Sequence, residues 1–206
     1  MSVNTLARNP RFRDLLQRIS QSARELGNYT ELKDRRNARK AREQLGVMYE
    51  EIGLLLYHHL EPLKDRFLAG DATAIDKVIE FLAIDLLAYG TGYRKQWYYR
   101  RLKQLDLTEQ QADRVRDIAV ARCASNEYRR EDSELRRLMV RFANAKFVEQ
   151  VEAIPARSGS RVFVHKDRML DVILAHRKDL GDHLKTKSGA SHDSENQAVS
   201  VVRQRS

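Results

Sequence analysis

The sequence predicts an all-α fold: a compact bundle or irregular stack of about seven or eight helices, with a disordered C-terminal tail. Three observations predict it. Only three prolines and nine glycines interrupt 206 residues, so few positions break a helix. Apolar residues recur at three- and four-residue spacing in successive windows. Cap signals stand where those windows begin: Asn9-Pro10, Asp71 or Thr73, and Thr108 followed by Gln111.

Asn9-Pro10 opens a helix whose apolar stripe is Phe12, Leu15, Leu16, Ile19 and Leu26, and Gly27-Asn28 is expected to end it. Thr30 is expected to start a longer helix, polar in its first half and apolar in its second. Pro62 breaks or restarts that helix. Residues 72–89 are apolar on nearly every side and read as the central buried helix. After the turn Gly90-Thr91-Gly92 comes an aromatic and basic helix to about Leu105. The capping box at Thr108 opens a helix with Ala112, Val115, Ile118, Ala119 and Cys123 on one face. Ser125 or Asn126 should cap the next, with Tyr128, Leu135, Leu138, Met139 and Phe142 inward and Arg130, Arg137 and Arg141 on another stripe. A short helix through Phe147 and Val151 completes a main domain of residues 1–154. Residues 155–184 read as a linker, a short extended run at Arg161–His165 and a C-terminal helix. Residues 185–206 are polar and nearly non-periodic, the composition of a disordered tail.

Length and composition bound the function. The chain suffices for one buried core with an appendage. No apolar run approaches the length that spans a bilayer, and no membrane partner is expected. A single cysteine, Cys123, excludes an intrachain disulfide framework and fits a reducing, cytoplasmic location. Net charge is +9. Residues 1–60, 92–150 and 151–206 each carry a basic excess, and residues 61–91 are acidic.

The richest functional signal is Tyr89–Leu105. It holds Arg94, Lys95, Arg100, Arg101 and Lys103, with no acid from residue 86 to residue 105, and Tyr93, Trp97, Tyr98 and Tyr99 lie among the bases. Helical spacing turns Tyr98, Leu102 and Leu105 toward a core and Tyr93, Trp97, Arg100, Arg101 and Gln104 away from it. Arginines beside rings suit a nucleic acid: the guanidinium meets phosphate and the ring stacks on a base. The competing reading has the rings packed on a helix or a partner protein and the bases solvated. A second basic run, Lys33–Arg42, contains Arg35, Arg36, Arg39 and Lys40 and resembles the basic region of leucine-zipper factors. The heptads that must follow fail after Leu45 and Ile52, which leaves a basic helix face able to touch phosphate. A helix-turn-helix with its joint at 124–126 is also drawn from residues 108–142, with acids interspersed on its second helix.

No catalytic residues, metal ligands or cofactor are assigned. His58 and His59 point about 100° apart on a helix, Cys123 lies on an apolar face, and no phosphate loop or nucleophile elbow occurs. The expectation is a non-enzymatic nucleic-acid-binding accessory protein, of DNA or RNA. Its candidate contacts are Arg35, Arg36, Arg39, Lys40, Tyr93, Arg94, Trp97, Arg100, Arg101, Arg130, Arg137 and Arg141. The alternative is an all-helical adaptor subunit that binds an acidic protein.

Overall fold

Side-chain caps decide where several of the helices begin. In the computed structural model, which describes residues 9–84, 91–125, 127 and 129–182, Asn9 accepts hydrogen bonds from the amides of Arg11 and Phe12 and starts α1 (Pro10–Glu31). Asp34 accepts from the Asn37 amide and starts α2 (Arg35–Leu60). A 3₁₀ turn at Glu61–Leu63, carrying Pro62, leads into the short α3 (Lys64–Leu68). Asp71 accepts from the Ala74 amide and starts α4 (Ala72–Ala83). Next come α5 (Thr91–Leu102), α6 (Glu109–Cys123), α7 (Asp132–Phe142), α8 (Ala145–Glu152) and α9 (Arg161–His176). The fold is all-α, and no strand occurs among the described residues. The tail expected from residue 185 onward, Asn126, Tyr128 and the stretch 85–90 lie outside those residues.

The described chain divides into two units. One comprises residues up to Arg114 together with Arg129–Glu131, and the other comprises Val115–Tyr128 and everything from Asp132 on. In the first unit α1 and α2 form an antiparallel hairpin. Phe12, Leu15 and Ile19 of α1 are buried, as are Ala38, Ala41, Leu45, Met48, Ile52, Leu56 and Leu60 of α2. Arg11 reaches across to Glu51 at 2.6 Å. The core of this unit is α4, which buries Ala74, Ile75, Val78, Ile79, Phe81 and Leu82 and thus fits the near-continuous apolar run read from the sequence. Phe67 and Phe81 meet Tyr98 edge-on, with ring centroids 5.2 and 5.9 Å apart.

In the second unit α7 packs against α9, and α9 also meets α8. Leu135, Leu138, Met139, Phe147, Val148, Val151, Met169 and Ile173 are buried there. The carbonyls that end α7 receive arginine donors: Arg116 donates to Phe142 O at 2.8 Å and Arg177 to Ala143 O at 3.3 Å. Those donors fill positions that a helix leaves open at its C-terminus.

Three local expectations are overturned, one by packing and two by local hydrogen bonds. Gly27 and Asn28 do not end α1, which runs on to Glu31. The break lies at 32–34, where Lys33 adopts φ +56° and Asp34 caps the next helix, so α2 starts at Arg35 and not at Thr30. An interior glycine costs only about 1 kcal/mol, which the paired hairpin outweighs. The extended run expected at Arg161–His165 is the first turn of α9, because Ser160 accepts from the Phe163 amide and nucleates helix there. Position 125 does not cap a helix either. The Ser125 hydroxyl accepts from the Glu127 amide, and α7 starts only at Asp132. A connection from 124 to 131 is too long for the turn of a helix-turn-helix.

Leu82 is 2 % exposed in the core of α4. Leu82→Ala should lower stability by about 2–5 kcal/mol, measured by urea unfolding with unchanged cooperativity. A variant as stable as the parent would contradict this core.

Candidate nucleic-acid interface

Lys95 sets the rotation of α5. Its ammonium is buried and donates to the carbonyls of Leu82, at 3.2 Å, and of Ile84, both at the end of α4. It also lies 5.9 Å from the centre of the Phe81 ring. One of the five bases counted in the acid-free interval is therefore turned inward, where it cannot meet a phosphate. With Lys95 inward, Tyr98, Tyr99 and Leu102 are buried too, while Tyr93, Arg100, Arg101 and Gln104 are exposed. The expected outer face stands, with two adjustments. Leu105 is only half-buried, and Trp97 is half-buried with its ring against Phe67 (6.2 Å) and Tyr98 (4.9 Å).

The exposed face pairs guanidinium groups with rings. Arg94 lies 5.4 Å from the centre of Tyr57, a ring on α2 that the sequence reading passed over. Arg101 lies 5.7 Å from Trp97. Arg130 lies 4.2 Å from Tyr93 and also donates to its phenol oxygen. Gln96 holds the Arg130 carbonyl at 2.8 Å, which fixes that residue beside α5. A groove of about 250 Å³ runs between α2 and α5, lined by Tyr57, Glu61, Lys64, Arg94, Trp97 and Tyr98 among others. Burial, followed by the Glu61 charge, pushes the Tyr98 phenol up to about 12 against the opposing pull of Arg94. Tyr98 is thus a neutral wall of the groove.

The other candidates belong to other elements. Arg35, Arg36, Arg39 and Lys40 are exposed on the first turns of α2, and Arg39 pairs with Glu43 at 2.9 Å. In the second unit Arg137 is exposed and pairs with Glu134 at 2.8 Å, while Arg141 lies 5.1 Å from the centre of the Phe142 ring. Alternating acids on α7 foreshadowed the Glu134 contact. Tyr57 had no such signal beyond its ring, because its approach to Arg94 depends on packing between distant helices.

The second unit also gathers Cys123, Asp132 and His165, residue types that serve in nucleophilic catalysis. Their geometry does not suit it. Cys123 is 1 % exposed, and the cavity beside it holds about 10 Å³, room for about one water. Burial pushes the thiol up to about 12, with Asp132 adding to the effect, so no thiolate nucleophile is at hand. Arg122 binds Asp132 at 3.1 Å, and His165 Nδ1 lies 3.8 Å from the same carboxylate. This is an internal polar network. Among the described residues no group of three or more His, Cys, Asp and Glu is placed to hold a metal ion. Among them, too, no helix is long and apolar enough to cross a membrane.

Two outcomes follow from this network. Cys123 should resist alkylation in the native protein and react fully once the chain is unfolded in guanidinium, as read by mass spectrometry. Burial lowers the His165 pKa against the pull of Asp132, and burial also lowers that of His59. The unfolded chain then takes up protons near pH 6.5 that the folded chain refuses. Stability is therefore full above that pH and falls as pH drops below it, and His165→Gln should flatten the fall in melting temperature between pH 7 and 5. Set against protein-family models, curated proteins and solved structures, the chain matches none.

Proposed function

We propose that the chain is a non-enzymatic nucleic-acid-binding protein that uses the exposed face of α5 and the adjoining Tyr57 of α2. The observation that carries this reading is the set of three guanidinium–ring pairs, Arg94 with Tyr57, Arg101 with Trp97 and Arg130 with Tyr93. A guanidinium layered on a ring keeps N–H groups at its rim for phosphate and offers a plane that a base can extend. Arg100 is exposed on the same helix, and Lys64 adds a cation to the groove. Arg35, Arg36, Arg39, Lys40, Arg137 and Arg141 are auxiliary phosphate contacts in this reading. DNA and RNA are both admitted, and a cytoplasmic setting fits the lone buried cysteine.

A second reading, an adaptor subunit that binds an acidic protein, draws on one observation. Trp97 already spends part of its ring on Phe67 and Tyr98, as a packing residue does.

Mobility-shift titrations with single- and double-stranded DNA and RNA at two or more salt concentrations separate the two. Affinity should fall steeply with salt as condensed counterions are released. Arg100→Ala with Arg101→Ala should weaken every sequence alike and reduce the log–log salt slope by about 1–2. Tyr57→Ala should cost about 1–3 kcal/mol on single strands and little on duplex. Absence of binding to all four substrates at low salt would transfer the face to the adaptor reading.

A further inference from the structure

The α1–α2 hairpin carries an open groove of about 650 Å³ on one flank, remote in sequence from α5. Leu26 of α1 lines it together with Gly46, Tyr49 and Gly53 of α2, and Arg42 and Glu50 also border it. A β-carbon added at Gly46 or Gly53 would meet nothing within 4 Å. Arg42 and Glu50 are exposed, and neither has an ion-pair partner among the described residues.

Charge along α2 is polarised. Residues 35–42 hold Arg35, Arg36, Arg39, Lys40 and Arg42 and no acid. Residues 43–61 hold Glu43, Glu50, Glu51 and Glu61 and neither lysine nor arginine. Arg42 precedes Gly46 by four residues and Glu50 follows it by four. At 100° per residue these three positions fall within an arc of about 80° on one face.

We propose that the groove seats a second copy of this chain, with the two α2 helices crossing antiparallel about a two-fold axis at Gly46. A residue a given number of steps before Gly46 then faces the residue the same number of steps after it in the other copy. Arg42 of each copy meets Glu50 of the other, so the pair forms twice. The unsubstituted Gly46 backbones approach closely at the axis. Leu26 and Tyr49 supply apolar cover around the crossing. A parallel alignment would set Arg42 against Arg42 and Glu50 against Glu50, so charge selects the antiparallel one. The contact is self-complementary and closes at two copies. A polyanion is a poor occupant, because Glu50 stands at the rim of the groove. The inference stands independently of the nucleic-acid reading.

Sedimentation of the full chain over a range of concentrations tests it, with circular dichroism to confirm that each variant stays helical. The parent should dimerise. Arg42→Glu alone, or Glu50→Arg alone, should raise the dimer Kd by about tenfold or more, and the two together should restore most of the affinity. Gly46→Cys should oxidise to a covalent dimer faster than Gln44→Cys, since Gln44 lines a different groove of the hairpin. The native Cys123 is buried and does not interfere. A monomer at every concentration overturns the proposal, and is the result expected if residues 183–206 or another protein fill the groove. A dimer indifferent to both charge reversals, or equal cross-linking from positions 44 and 46, overturns it as well.

Discussion

The hydrogen bonds from Lys95 to the carbonyls that end α4 are the constraint on which the candidate interface depends. A helix leaves its last carbonyls without internal partners, and a buried end needs donors from elsewhere. Lys95 supplies them, and an ammonium there also meets the negative end of the helix dipole. Once that side chain points inward, the 100° step of α5 does the rest. Tyr98, Tyr99 and Leu102 follow it into the core, and Tyr93, Arg100 and Arg101 are left outside. The exposed arrangement of bases is thus a consequence of one base being withdrawn from it. Desolvating an ammonium is tolerable only with such acceptors in place, so Lys95 couples the stability of the first unit to the presentation of its outer face.

Where the fold was legible in the sequence, the deciding interaction was local. Asn9, Asp71 and the Thr108–Gln111 box cap their own helices within three residues, and such signals need no tertiary context. The apolar run of α4 was legible for a similar reason, since only a core accepts a helix that is apolar nearly all round. Gly27 and Arg161–His165 misled because their local preferences are weak. A glycine or a valine pair tips the balance by about 1 kcal/mol or less, and packing or a single serine cap reverses it. The start of α7 was hidden differently. Ser125 has the chemistry of a cap, yet it spends its hydroxyl on the Glu127 amide in a turn.

The candidate site was legible as a composition and not as a geometry. A count of bases in 86–105 does not reveal which base is buried, and Lys95 shows the cost of equating charge with exposure. Nor does a sequence reveal partners across distant segments. Tyr57 joins Arg94, and Arg130 joins Tyr93, only because folding brings α2 and residues 129–131 to α5. Arg137 is the opposite case: its acid stands one turn away, and the pairing with Glu134 is of the kind that i,i+3 spacing produces.

The polarised charge of α2 bears on both proposals at once. Measured from Gly46 at 100° per residue, Arg42, Arg39 and Arg35 fall within about 40° of the groove face, whereas Arg36 and Lys40 fall about 80–120° to one side. A two-fold partner would set its own Glu50, Gly53 and Tyr57 against Arg42, Arg39 and Arg35 of this first set. It would leave the second set in solvent, where Val47 and Leu54 also lie exposed. The basic run that looked like a single patch in the sequence is thereby two patches on the helix. One meets a single acid, Glu50, across the crossing, and the other lies on the side of α2 that carries Glu43 and Glu51, about 60° and 140° from Gly46. Of the four auxiliary phosphate contacts proposed on α2, a dimer would leave Arg36 and Lys40 open, whereas Arg35 and Arg39 would serve only in the single chain. Salt then acts on two equilibria through different residues, since screening weakens the Arg42–Glu50 contacts while counterion release weakens contacts to phosphate. A salt titration of nucleic-acid binding therefore has to be read at a protein concentration where the association state is known. Otherwise, loss of a dimer would pass for loss of phosphate contacts.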